Sequence, residues 1–173
     1  MRQTHLRAVV PADPDVVLEK FLDFTDFPAL AEDIRAVKVL DPGEPGGDRR
    51  SEWEVNFRRG VMRWTEVDRV DRDRGRIDFD QLDGDFERLQ GSWVFTAVAD
   101  GCQVDFDVTY DFGIESLAGI MDPLAERVMK RAACDVLAGL FGRVTVTAGG
   151  SALTDLVDLP ADSCVHVLPD GAR

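Results

Sequence analysis

A chain of 173 residues with 45% hydrophobic and 31% charged side chains has the size and composition of one globular domain with its own core. Its formal net charge of −13 argues against a nucleic-acid surface, which needs a clustered basic face to displace counterions, and against docking on anionic lipid headgroups. No apolar run approaches the ~20 residues that span a bilayer, and the N-terminus lacks the apolar stretch of a secretory signal. The three cysteines, Cys102, Cys134 and Cys164, are widely spaced and form no CxxC; they suit the reducing cytoplasm, as buried and inert thiols.

Residues Gln3 to Val10 alternate weakly and stop at Pro11, as a first strand would. Asp13-Pro14 then supplies a helix start, with Val17, Leu18, Phe21 and Leu22 at helical spacing. A second short helix begins at Asp26 and covers Phe27, Leu30 and Ala31, and a second strand runs near Ile34 to Leu40. The segment DPGEPGGDRR from Asp41 is a loop by composition. Strand three, SEWEVNFRR, puts Trp53, Val55 and Phe57 on one face and Glu52, Glu54, Asn56 and Arg58 on the other.

Strand four, Val61 to Val70, carries polar residues on both faces, and two registers stay open. One turns Trp64 and Glu66 inward, making Glu66 a candidate base with a raised pKa. The other turns Arg63, Thr65, Val67 and Arg69 inward, and is favoured because Val61 and Val67 then join an apolar face. Strand five aligns Ile77, Phe79 and Gln81, and Asp83-Gly84 reads as a tight hairpin. Strand six starts at Phe86, with a bulge expected at Gly91 because Phe86 and Trp93 differ in parity. Strand seven alternates cleanly, with Cys102, Val104, Phe106, Val108, Tyr110 and Phe112 inward.

From Ser116 to Gly142 the period becomes helical, with Pro123 either kinking the helix or setting its start near Asp122. The remaining tail is either unstructured or adds a short edge strand at Cys164 to Leu168. The domain is therefore read as residues 1–144, with 145–173 as a C-terminal extension. The fold class is α+β: seven antiparallel strands in a curved sheet, two short helices after the first strand, and a long helix gripped by the sheet. One helix cannot fill the concave side of a strongly twisted sheet, so an internal pocket is expected.

Its walls would be the aromatic residues Trp53, Phe57, Trp64, Phe79, Phe86, Trp93, Phe95 and Phe106, with Gln81, Arg88 and Met121 as further contacts. The single tyrosine, Tyr110, joins them with a hydroxyl that needs a partner. There is no GxSxG, no phosphate-cradling glycine loop and no dinucleotide fingerprint, so no cofactor is expected; His5 and His166 lack metal-ligand spacing.

The order of elements, the pattern DVVxxxFxDFxxFP within Val10 to Pro28, and the segment GDFERLQGSWVF resemble the polyketide cyclase and Coq10-like branch of the START superfamily, over roughly Gln3 to Gly142. The resemblance implies the helix-grip fold and a hydrophobic or aromatic ligand. It implies either an aromatase/cyclase that promotes aldol cyclisation and dehydration, with an acyl carrier protein as a partner, or a non-catalytic carrier of a quinone, lipid or other apolar metabolite. Arg69 matches the arginine of the family's W-x-W-x-x-x-R-V strand, while Ile34 and Thr65 stand where relatives carry Tyr and Trp. Under the cyclase reading Arg69 and Arg63 are electrophilic helpers and Tyr110 or Glu66 carries protons. Monomer and homodimer are both compatible with it.

Overall fold

The computed structural model describes residues 1–58, 60–157, 160 and 162–170; Arg59, at the end of the third strand as read above, and residues 158–159, 161 and 171–173 of the extension lie outside the described set. The elements run β1 (Arg2–Val10), α1 (Pro14–Phe21), a 3-10 turn, α2 (Phe27–Leu30), β2 (Ile34–Asp41), β3 (Asp48–Phe57), β4 (Gly60–Asp71), β5 (Arg76–Gly84), β6 (Arg88–Val98), β7 (Gly101–Asp111), α3 (Ala118–Phe141), β8 (Val144–Ala148) and β9 (Val165–Val167). One sheet holds all strands in the order β2-β3-β4-β5-β6-β7-β1-β8-β9, antiparallel except where β9 joins β8. Helix α3 packs across it, the helix-grip arrangement.

Nine strands replace the expected seven. Both additions come from the extension. Strand β8 pairs with β1 and buries Val144 and Val146, and β9 follows at its outer side. Without them β1 would present an unpaired edge, the feature that sheets most need to cover. The edge strand anticipated at Cys164 to Leu168 corresponds to β9, whereas VTVTA was not read as a strand. Cys102 and Cys134 are buried and their thiols are pushed up to about 11 and about 12 by burial, but Cys164 is exposed, against the expectation of three buried thiols.

Two local readings are corrected, and one left open is decided. The hairpin at Asp83-Gly84 is not tight: β5 leaves β6 after Asp80–Gln90 and its last residues stay paired with β4. Gly84 has φ +148, and a Cβ there would lie 2.6 Å from the Trp64 Cα, so the approach of the two strands requires glycine. No bulge occurs at Gly91, where pairing with β5 and β7 is regular. Glycine is needed because a Cβ would fall 2.5 Å from the Phe79 ring. The parity conflict disappears because Phe86 precedes β6 and tucks inward from the connecting turn. Helix α3 begins at Ala118, so Pro123 lies inside it rather than marking its start.

A buried ionic cluster fixes α3 to both ends of the chain. Lys130, 2% exposed, donates from Nζ to Glu126 Oε1 and to the Gly149 carbonyl, each at 2.7 Å. Glu126 also accepts from Thr4 Oγ1 at 2.8 Å and from the Arg2 guanidinium. Burial by itself would raise the Glu126 carboxyl, but the bonds from Lys130, Arg2 and Thr4 outweigh it and hold the group at about 2, below its ordinary 4.5. The stability contributed by this carboxylate is present above that ordinary value and is lost as pH falls towards 2. Removing Lys130 would leave a buried carboxylate and a carbonyl without their donor. Lys130→Met should therefore cost about 3–5 kcal/mol in urea unfolding; a loss below about 1 kcal/mol would show that the cluster does not hold the helix.

Candidate functional site

Opposed residues of antiparallel strands share a face, so the apolar face of β3 dictates that of β4. Trp53 lies opposite Trp64, Ser51 opposite Glu66 and Arg49 opposite Asp68. Trp64, Glu66 and Asp68 therefore point to the concave side. The two indoles are parallel, with centroids 6.0 Å apart and planes inclined by 1°. A bulge between Thr65 and Glu66, where Leu82 of β5 is left extra, keeps Glu66 opposite Gln81.

Between this wall and α3 lies a cavity of about 110 Å³. Phe21, Phe24 and Phe27 close it from the helical side, and Trp53, Phe57, Trp64, Phe79, Phe86, Trp93 and Phe106 line the sheet side. Helix α3 presents Met129, Ala132, Ala133 and Val136. The two alanines leave open the space that larger side chains would fill. Among the described residues lining the cavity, Glu66 and Asp68 are the only ones with a charged or polar side-chain group besides the indoles.

Each carboxyl is held by an indole. Trp64 donates from Nε1 to Glu66 Oε2 at 2.7 Å. Trp53 donates to Ser51 Oγ at 2.9 Å, and Ser51 donates onward to Asp68 Oδ2 at 3.4 Å. Burial, then the neighbouring Asp68 charge, pushes the Glu66 carboxyl well above its ordinary range. Burial also lifts Asp68 to about 6, less far because Arg49 and the Ser51 hydroxyl stabilise its charged form. The pair thus combines a carboxyl biased towards its protonated form with one that ionises more readily, the combination that paired acid and base work requires.

The favoured register of strand four is overturned. Arg63 and Arg69 lie on the outer face: Arg63 Nε bonds Glu54 at 3.2 Å, and Arg69 Nη1 bonds Asp80 at 2.6 Å. Arg88 is exposed and bonded to Gln90. Tyr110 is fully buried, but its hydroxyl donates to the Asp122 carbonyl at 2.7 Å, so it ties α3 to the sheet and burial pushes its phenol upward. Phe95 packs against Phe21 in the core and Met121 sits near the start of α3; neither lines the cavity. Gln81 flanks it, donating to the Phe86 carbonyl at 2.8 Å. Asp68 and the phenylalanines of the α1–α2 region were missed. Asp68 looked like the charged end of a strand, and only its parity with Glu66 marks it.

The family described as polyketide cyclase / dehydrase and lipid transport matches residues 10–137, which span both the phenylalanine cluster and the cavity face of α3. The chain belongs to that family. No curated protein sequence matches it. Among solved structures it is similar to TTHA0849 of Thermus thermophilus, at 25% identity and a TM-score of 0.70, covering 82% of this chain and 95% of that one. It shares its fold with the Zhui aromatase/cyclase of Streptomyces sp. R1128, at 19% identity and a TM-score of 0.64, covering 82% and 93%. The ginseng major latex-like protein 151 of Panax ginseng has the same fold, at 17% identity and 0.63, covering 80% and 97%. Among the described residues no helix is long and apolar enough to cross a membrane.

The raised Glu66 pKa has a consequence for stability. The folded protein binds a proton that the unfolded chain releases near 4.5, so the stability of the protonated form is full below that value and is lost as pH rises through the folded pKa. Glu66→Gln, which still accepts from Trp64, should raise the urea midpoint at pH 8, with the gain shrinking towards pH 4. A variant less stable than wild type at pH 8 would show that the Glu66 carboxyl is not held above its ordinary range.

Proposed function

We propose that the protein binds an uncharged, ring-forming or aromatic small molecule in the cavity and promotes its aldol cyclisation and dehydration, as a polyketide aromatase/cyclase-type enzyme. The observation that carries this reading is the Glu66–Asp68 pair, the only charged or polar groups besides the indoles among the described residues of an aromatic wall, with ionisation split between acid and base.

The Asp68 carboxylate takes the proton from a methylene between two carbonyls of the bound chain, while the Glu66 carboxyl donates to the oxygen of the forming enolate. The enol carbon attacks a second carbonyl of the same chain, forming the ring bond; the enol oxygen returns its proton to Glu66 as its carbonyl re-forms, and the new alkoxide takes the proton now on Asp68. In the elimination Asp68 removes a second methylene proton and Glu66 protonates the departing hydroxyl. One water leaves for each double bond formed, and the proton taken up by Asp68 passes to Glu66, which restores the base and the acid together. The indole donor of Trp64 orients Glu66, and Ser51 orients Asp68. The aromatic walls hold the chain folded and exclude water, so that positioning contributes beside proton transfer. An acyl carrier protein as the source of the chain, and a cytoplasmic setting, belong to this reading.

The second reading is a carrier of a quinone, lipid or similar apolar metabolite. It is favoured by the outward placement of Arg69, which leaves the cavity without the arginine on which the family resemblance had placed electrophilic help.

Exchange of deuterium into the methylene groups of 2-tetralone, followed by NMR, isolates the proton-transfer step. Wild-type protein should accelerate exchange, with the rate rising as pH passes through about 6. Asp68→Asn should lower it about 100-fold, and Arg69→Ala should leave it unchanged. Binding of 2-tetralone without any acceleration would establish the carrier reading instead.

A further inference from the structure

A second space lies against the outside of the aromatic cavity. The β2–β3 loop, Pro42 to Gly47, with Arg49, Val70 and the β4–β5 turn at Asp71 to Asp73, encloses a groove of about 700 Å³. Arg49 lines the groove and packs on the cavity wall. Its guanidinium sits 4.8 Å from the centroid of the Phe24 ring, and it lies opposite Asp68 across the β3–β4 pair. Phe24 and Asp68 both line the cavity. The Arg49 side chain is held by one bond, from Nη2 to the Leu22 carbonyl at 2.9 Å. Its Nη1 is buried and has no hydrogen-bond partner, a donor left at a cost that an incoming acceptor would relieve.

The volumes bear on what fits. At about 110 Å³ the cavity is of the same order as the roughly 150 Å³ apolar cavity that takes one benzene ring, and well below the 300–1,000 Å³ or so of ordinary ligand sites, so a larger molecule needs further space. The groove supplies the missing space. Its charged residues are Glu44, Asp71 and Asp73 against Arg49 and Arg72, and Arg72 is already paired with Glu19 at 2.6 Å, so an anionic group would meet net repulsion.

We propose that the groove is the outer half of the ligand site and Arg49 the movable partition between the halves. The ligand is then an extended molecule, with its ring-bearing end among the aromatic side chains and an uncharged, hydrogen-bonding tail in the groove. This rests on the ligand-binding reading above but not on its acid–base chemistry. Swinging Arg49 outward opens the way past Phe24, and a carbonyl or ether oxygen at the junction receives the Nη1 hydrogen that has no partner in the closed arrangement.

All three tryptophans of the chain line the cavity, so quenching of tryptophan fluorescence reads its occupancy. Two uncharged quenchers separate the halves: 4-nitroanisole, without a tail, and the 4-nitrophenyl ether of triethylene glycol. The tailed probe should bind wild-type protein at least about tenfold more tightly. Val70→Trp, which fills the groove, should remove most of that gain while leaving 4-nitroanisole within about threefold of its wild-type affinity. Arg49→Met, which keeps the apolar stem, should speed association of both probes about tenfold in stopped flow. Equal affinities of the two probes, equal weakening of both by Val70→Trp, or association rates unchanged in Arg49→Met would each overturn the proposal. Quenching by neither probe would overturn the ligand-binding reading along with it, whereas quenching by 4-nitroanisole with no gain from the tail overturns the groove alone.

Discussion

The placement of Trp64 opposite Trp53 is the constraint on which the rest depends. It sets the face of every other residue of β4, and so decides that two carboxyls rather than two arginines turn towards the helix. Burying Glu66 and Asp68 is unfavourable in itself. The structure meets that cost in three ways: the Glu66 carboxyl is biased towards its protonated form, Glu66 receives the Trp64 indole N–H and Asp68 the Ser51 hydroxyl, and Arg49 lies across the strand pair from Asp68. A fold selected for stability alone would place apolar side chains at both positions. Their retention in an aromatic wall is the local conflict expected where function competes with packing.

The remaining elements keep that wall in place and leave space before it. The bulge beside Glu66 lets β5 continue past the pair, and Gly91 makes room for the Phe79 ring against the sheet. Helix α3 supplies the opposing wall, with Ala132 and Ala133 where bulkier residues would close the cavity. Two anchors hold it at its own depth over the sheet. Tyr110 bonds the carbonyl of Asp122, and the Glu126–Lys130 cluster joins β1 to the segment after β8. The extension is thus bound into the same framework that positions the cavity, and its β8 covers the edge that β1 would otherwise expose.

The helix-grip order was legible because its signals are local: the alternation of β7, the period of α3 and the composition of the β2–β3 loop are each visible in a short window. Most of the aromatic wall followed from the same alternation. The reactive pair did not, because the choice between Arg63/Arg69 and Trp64/Glu66 is made by the partner strand. Strand β3 ends at Phe57 and β4 begins at Gly60, opposite it, so the apolar face of β3 fixes the parity of β4, a signal that was present but not used. The favoured register instead followed Val61 and Val67, and Val67 is buried on the opposite side of the sheet from the cavity. The matched position of Arg69 gave no help either, since a linear match carries no information about which face a side chain takes. Strand β8 was missed because VTVTA is short and its value lies in covering a distant strand.

The split ionisation of the pair is the claim from which the chemistry descends. Carboxyl-carbon NMR titration, with Glu66 and Asp68 assigned through Glu66→Gln and Asp68→Asn, tests it directly. The account predicts that Asp68 titrates near 6 and that Glu66 remains protonated well beyond the ordinary carboxylate range. Titration of both carboxyls close to their ordinary values of 4.5 and 3.8 would contradict it, because groups that ionise so freely would not be buried in an aromatic cavity.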